Sequence, residues 1–126
     1  MQINDPKTLA EVTAAFAAYE AALMADDVSA LDALFWPSQH TVRYGVGENL
    51  YGFEQIAAFR KGRGGSPQRQ LVNTVITTFG TGFATACTEF VREPGGQHGR
   101  QTQSWARTAQ GWQIVAAHVS LLGTHS

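Results

Sequence analysis

The sequence predicts an α+β fold, with N-terminal helices packed on a curved antiparallel sheet. Three observations carry the architecture. Apolar residues recur at helical spacing near the N-terminus, the second half reads as four long runs rich in threonine, valine and aromatic residues, and glycine-containing turns separate those runs. Helices gathered before strands pack on one face of an antiparallel sheet, whereas alternation would signal a parallel one. At 126 residues, one domain spanning 1–126 is expected, since the chain suffices for one core but not two.

Asp5-Pro6 marks a helix start, a carboxylate cap followed by proline at the first helical position. Leu9, Val12, Phe16, Tyr19 and Leu23 then follow at three- and four-residue steps, one apolar stripe in an alanine-rich helix. Tyr19 lies in that stripe, so its phenol points inward and needs a partner. Two readings are open: a core tyrosine bonded to a carbonyl, or a proton donor lining a cavity. Asp26-Asp27 stops the helix, and Ser29 with Asp32 is placed to cap a short second one ended by Trp36-Pro37.

Two short strands are expected at 41–44 and 48–51, around Gly45-Val46-Gly47. Arg43 sits mid-strand, facing away from Val42 and Tyr44. It is either an edge residue or, if its face is the concave one, a carboxylate anchor, because a guanidinium matches a carboxylate through two parallel hydrogen bonds. Gly52 opens a third helix, with Phe53, Ile56, Ala57 and Arg60 on one face. Its last turn holds Arg60, Lys61 and Arg63, which complement the helix dipole. Gly62 to Pro67 ends it, and Arg69 enters a long strand that turns at Gly80-Thr81-Gly82 into another. Cys87, in the middle of that strand, reads as a small buried hydrophobe.

After Pro94-Gly95-Gly96 comes a terminal hairpin over 99–121, broken at Gln110-Gly111. An even loop pairs Arg107 with Trp112, Trp105 with Ile114, Gln103 with Ala116 and Gln101 with His118. Alternation then puts Gln101, Gln103, Trp105, Trp112, Ile114, His118 and Ser120 on one face, the wall of a pocket. The other face is small or aliphatic and suits packing against another sheet. A curved sheet wrapped around a long helix forms a cone with an open mouth, a natural small-molecule cavity. Tyr19, Arg43, Gln103 and His118 are expected to converge there.

Several function classes are disfavoured. Net charge is −1 and no basic run appears, so the footprint of a nucleic-acid binder is missing. One cysteine gives no internal disulfide framework and fits a reducing compartment. Neither a long apolar run nor a signal-peptide pattern is present, so a cytoplasmic protein is expected. The four histidines, His40, His98, His118 and His125, show no two-histidine helical spacing, and no metal site or cofactor is expected. Nucleophile-elbow, Walker and dinucleotide motifs are missing too. Glu48 and Glu89 are acidic candidates, Glu48 solvated and Glu89 an inward partner for an arginine. What remains is an arginine-rich set with one phenol and one imidazole, suited to an anionic small molecule.

The stretches YGVGENLYGFEQIAAFR, VITTFGTGFATACTEF and GRQTQSWARTAQGWQIVAAHVSL resemble the AtzH-like (HpxZ, oxalurate-catabolism) family of the NTF2-like, or SnoaL-like, superfamily. That resemblance covers nearly the whole chain. It implies a cone that dimerises through the outer sheet face and acts, without cofactor, on small nitrogen-rich carboxylates. It further implies a decarboxylating amidohydrolase acting on a carboxylated urea, 1,3-dicarboxyurea or 1-carboxybiuret-like or oxalurate-related. Tyr19 and Arg43 match the catalytic end of the family's pocket, and His118 matches a wall position from which it would orient substrate or water in the reaction. Gln103 matches a wall position; Trp105 and Ser120 lie on the same expected face. Arg60 and Arg63 match the arginines of the family's FRxxR-like segment, here FRKGR, followed by a glycine-rich GRGGSPQR link. A non-catalytic ligand-binding or accessory protein of an amidohydrolase pathway, and a plain oligomerisation domain, are the competing expectations.

Overall fold

The computed structural model describes residues 1–123, so His125 lies outside the described residues. In chain order the elements are α1 (Pro6–Met24), α2 (Val28–Ala33), β1 (Val42–Tyr44), β2 (Asn49–Tyr51), α3 (Phe53–Arg63), β3 (Gln68–Phe79), β4 (Phe83–Glu93), β5 (His98–Thr108) and β6 (Gly111–Leu121). One six-stranded sheet holds all the strands in the order β2-β1-β6-β5-β4-β3. The four long strands are antiparallel neighbours, and β1 joins β6 in parallel. This is the expected α+β architecture.

The Asp5 carboxylate accepts from the Thr8 backbone N–H at 3.1 Å, and Pro6 opens α1. Val12, Phe16, Tyr19 and Leu23 of its stripe are buried against Phe35, Trp105 and Ile114, with small Ala84 and Ala86 of β4 beneath them. The cap of α2 is Asp27, not Ser29: its carboxylate accepts from Ala30 N–H at 3.1 Å. An aspartate bonds that amide from outside the helix, which leaves Ser29 inside the first turn. No described helix is long and apolar enough to cross a membrane.

Two bulges bend the sheet. In β3, Asn73 and Thr74 stand against a single residue of β4, with Asn73 at φ 54°. The second lies in the terminal hairpin. Arg107 pairs with Trp112 and Trp105 with Ile114, as expected. Beyond them Val115 is extra, so Ser104 meets Ala116, Gln103 meets Ala117 and Gln101 meets Val119. One inserted residue sends every later side chain of β6 to the opposite face. Ala117 and Val119 therefore turn inward, while His118 and Ser120 turn out. Bulges leave no mark in a pattern of alternating residue types, which is why the expected facing fails in β6 beyond Val115 and holds in β5.

Two further expectations fail on alternation along β4. Ala84, Ala86, Thr88 and Phe90 are buried, so Cys87 between them is exposed rather than a buried hydrophobe. Glu89 likewise faces outward, opposite Arg100 of β5 and away from the cavity's arginines, and accepts from Asn73 Nδ2 at 3.0 Å.

Candidate functional site

Between α1, the β1–β2 turn, the end of α3 and the inner face of the sheet lies a cavity of about 130 Å³. Tyr19 and Leu23 come from α1, Arg43 from β1, Arg63 from α3, Arg69 from β3, Arg92 from β4 and Gln101 from β5. Tyr19 is placed by the helix stripe, and its ring meets Phe35 edge-on at 6.2 Å between centroids. No hydrogen bond ties its hydroxyl among the described residues, so the phenol's polar end belongs to the cavity rather than to backbone. Arg43 faces inward because Val42 and Tyr44 occupy the outer face of its three-residue strand.

Charge in this cavity is unevenly matched. Arg43 pairs with Glu48 at 2.8 Å, so Glu48 is a buried-side partner rather than a solvated turn residue. The fit is close: a Cβ at Gly45 would fall 1.7 Å from Glu48 Oε2. Arg69 grips Glu20 through two parallel bonds of 2.9 and 2.7 Å and lies over the Phe90 ring at 4.6 Å. Arg63 has no carboxylate partner among the described residues. Its guanidinium rests on the Phe59 ring at 5.6 Å, and its buried Nε finds no acceptor. Burial first, then the neighbouring Arg43 charge, push the Arg63 pKa below the usual arginine range. A half-buried guanidinium beside another cation leaves positive charge in the cavity that no carboxylate of the described residues offsets.

The remaining predicted residues fall elsewhere. Arg60 is buried with Asp32 as its partner and lies over Phe35 at 4.8 Å, so it braces α3 against α2. It lines not the main cavity but a narrow adjoining cleft that it shares with Tyr19, Arg43 and Arg63. Gln103 and Trp105 are in the core, the indole Nε1 donating to Gln103 Oε1 at 3.0 Å. His118 stands exposed on the outer face, edge-on to Tyr44 at 5.7 Å. Ser120 pairs with exposed Arg100 on that same face. The β6 bulge thus removes His118 and Ser120 from the cavity. Among the described residues, no three metal-ligating side chains gather.

A family model described as AtzH-like matches residues 1–125. The chain belongs to the AtzH-like family. Two similar solved structures are also near in sequence. A Pectobacterium atrosepticum protein of unknown function is 54% identical, with 96% of this chain and 95% of that one covered and a TM-score of 0.93. A cystatin-like fold protein from Burkholderia xenovorans is 49% identical, with 99% of each chain covered and a TM-score of 0.94. An NTF2-like superfamily protein from Salmonella enterica is 25% identical at a TM-score of 0.73, covering 95% of this chain and 94% of that one. No curated protein matches the chain. AtzH-like membership and the NTF2-like fold agree with the resemblance read from the sequence.

Glu20 and Arg92 are absent from the expected site, Gln101 has a place on its wall but no role, and Arg69 enters only as one of several arginines. Glu20 and Arg69 lie 49 positions apart, so no local spacing couples them. The available signal was a carboxylate adjoining an inward tyrosine on α1.

Proposed function

We propose that this AtzH-like protein binds a small carboxylate in the arginine-lined cavity and cleaves a carbon–nitrogen bond of a carboxylated urea with loss of carbon dioxide. The carrying observation is Arg63, a partly buried guanidinium without a carboxylate partner, beside Arg43 and the unengaged Tyr19 hydroxyl. Family membership supports the substrate class by resemblance, and the fold alone would not, because function sits in the site.

In this mechanism Arg63 and Arg43 hold the carboxylate and stabilise charge that develops as the bond breaks. When the carbon–nitrogen bond to the carboxyl group cleaves, its electron pair stays on nitrogen and carbon dioxide departs. Tyr19 donates its phenolic proton to that nitrogen and regains one from solvent, a general-acid role. Arg60 and the Gln103–Trp105 pair support the walls, and His118 has no part in the chemistry. A homodimer through the outer sheet face belongs to the same proposal, and sedimentation of the purified protein tests it.

Steady-state release of carbon dioxide and of the decarboxylated urea from N-carboxylated ureas tests the catalytic claim. Tyr19→Phe and Arg43→Ala are each expected to lower kcat/KM by at least about a hundredfold, within the usual range for a lost general acid or charge-stabilising donor. Near-normal rates in both would reject it. Binding without turnover in the wild type would leave the accessory-protein reading in its place.

A further inference from the structure

The cavity opens to solvent between the β1–β2 turn and the segment leading into β3, where Val46 and Pro67 are the exposed residues of its wall. Arg92 stands beside that opening. It lines the cavity and, together with Pro67, a solvent-facing depression under the β4–β5 turn, whose residues from Glu93 to His98 are all exposed. Alternation along β4 puts Arg92 on the inner face with Thr88 and Phe90.

No contact explains Arg92 as a brace. The ion pairs of the described residues engage Arg43, Arg60, Arg69 and Arg107, and Arg92 has none. Its Nη1 donates to Gln97 Oε1 over a long 3.5 Å, in an exposed position. Directly across the strand pair stands Arg69. Like charges directly opposite each other destabilise a sheet, and Glu20 offsets only Arg69. Charge is unevenly shared over the molecule as well. Arg43, Arg63, Arg69 and Arg92 bring four positive charges to the cavity against two negative ones on Glu20 and Glu48, an excess of two. The whole chain carries −1, so the residues outside this group sum to −3. A cleft of one sign in a molecule of the other focuses its field at the opening. We propose that Arg92 is a steering residue, which draws a small anion to the mouth and passes it to Arg43 and Arg63 without holding it once bound. This rests on the reading of the cavity as a carboxylate site and adds how the ligand enters. A rim charge acts on the rate of association and its salt dependence, whereas a gripping charge acts on dissociation.

Association and dissociation rates for malonate, a small anion serving as the probe, test the role when taken from NMR line shapes at about 10 mM and about 500 mM salt. One charge about 10 Å from a dianion in weakly screened water changes the encounter rate by about threefold. Arg92→Gln is therefore expected to lower kon about threefold at low salt and Arg92→Glu about tenfold, with koff within about twofold of wild type. At high salt the variants should converge on the wild type, because screening shortens the reach of the charge to about 4 Å. Arg92→Lys keeps the charge and should keep the wild-type rates. A rise in koff with kon unchanged overturns the assignment, since Arg92 would then grip the ligand. A slow Arg92→Lys, or a kon deficit that survives high salt, assigns the effect to packing and overturns it too. Unchanged rates in every variant reject the role of Arg92 alone. No malonate binding to the wild type rejects the carboxylate reading and this inference with it.

Discussion

Glu20→Ala strikes the ion pair on which the cavity's inner wall depends. Arg69 is 6% and Glu20 15% exposed, and the pair joins α1 to β3 through two parallel hydrogen bonds. Removing the carboxylate leaves a guanidinium in the interior with only Gln101 Oε1 and the Phe90 face for company. Breaking a buried pair by deleting one partner costs about 3–5 kcal/mol. Unfolding entropy of about 2.1 cal/mol/K per residue gives about 265 cal/mol/K for 126 residues, so each kcal/mol moves Tm by about 4 °C. Tm should therefore fall by about 11–19 °C in thermal melts followed by circular dichroism. Glu20→Gln keeps one acceptor and should lose roughly half as much. A drop below about 4 °C for Glu20→Ala would mean that Arg69 reaches water or another partner, and that the pair does not brace α1 against β3.

Four other perturbations have definite outcomes. Arg63 has a depressed pKa, so its charged form costs stability at every pH below that value, neutral pH included. Arg63→Met, which keeps contact with Phe59, should raise stability by about 0.5–2 kcal/mol in urea unfolding while abolishing carboxylate binding. Gly45→Ala places a methyl group where Glu48 lies, displaces it from Arg43, and should strengthen carboxylate binding in calorimetry; unchanged affinity would mean that Glu48 does not compete for Arg43. Gly99→Ala would put a Cβ 2.1 Å from the tip of buried Phe90, and overpacking there should cost about 1–3 kcal/mol in denaturant unfolding. Glu11 is held below its ordinary pKa of 4.5 by hydrogen bonds from Trp112 and then Arg107. A lowered carboxylate pKa contributes stability above the unfolded value and loses it as pH falls through the folded one. Glu11→Gln should accordingly flatten the decline of Tm with acidification below about pH 4.5, and an unaltered profile would contradict that linkage.

Much of the molecule was legible because its signals are periodic. The stripe on α1 placed Val12, Phe16, Tyr19 and Leu23 in the core, and the short strand VRY put Arg43 on the face opposite Val42 and Tyr44. Arg63 was readable from its segment, though its lack of a counter-ion was not. His118 and Ser120 were misplaced because one bulged residue, Val115, reverses the face of everything after it. Arg60 was readable as an inward arginine but not as Asp32's partner, since 28 residues separate the two. Gln101 stood on the expected inner face. Its bond to Arg69 is a fact of tertiary contact that composition and spacing do not encode.

The central claim is that a carboxylate settles among Tyr19, Arg43 and Arg63, and a crystal structure in saturating malonate tests it most directly. The account predicts a carboxyl group within about 3 Å of the Arg63 guanidinium and the Tyr19 hydroxyl. Water alone at those donors under saturating malonate, or malonate bound only outside this cavity, would contradict it.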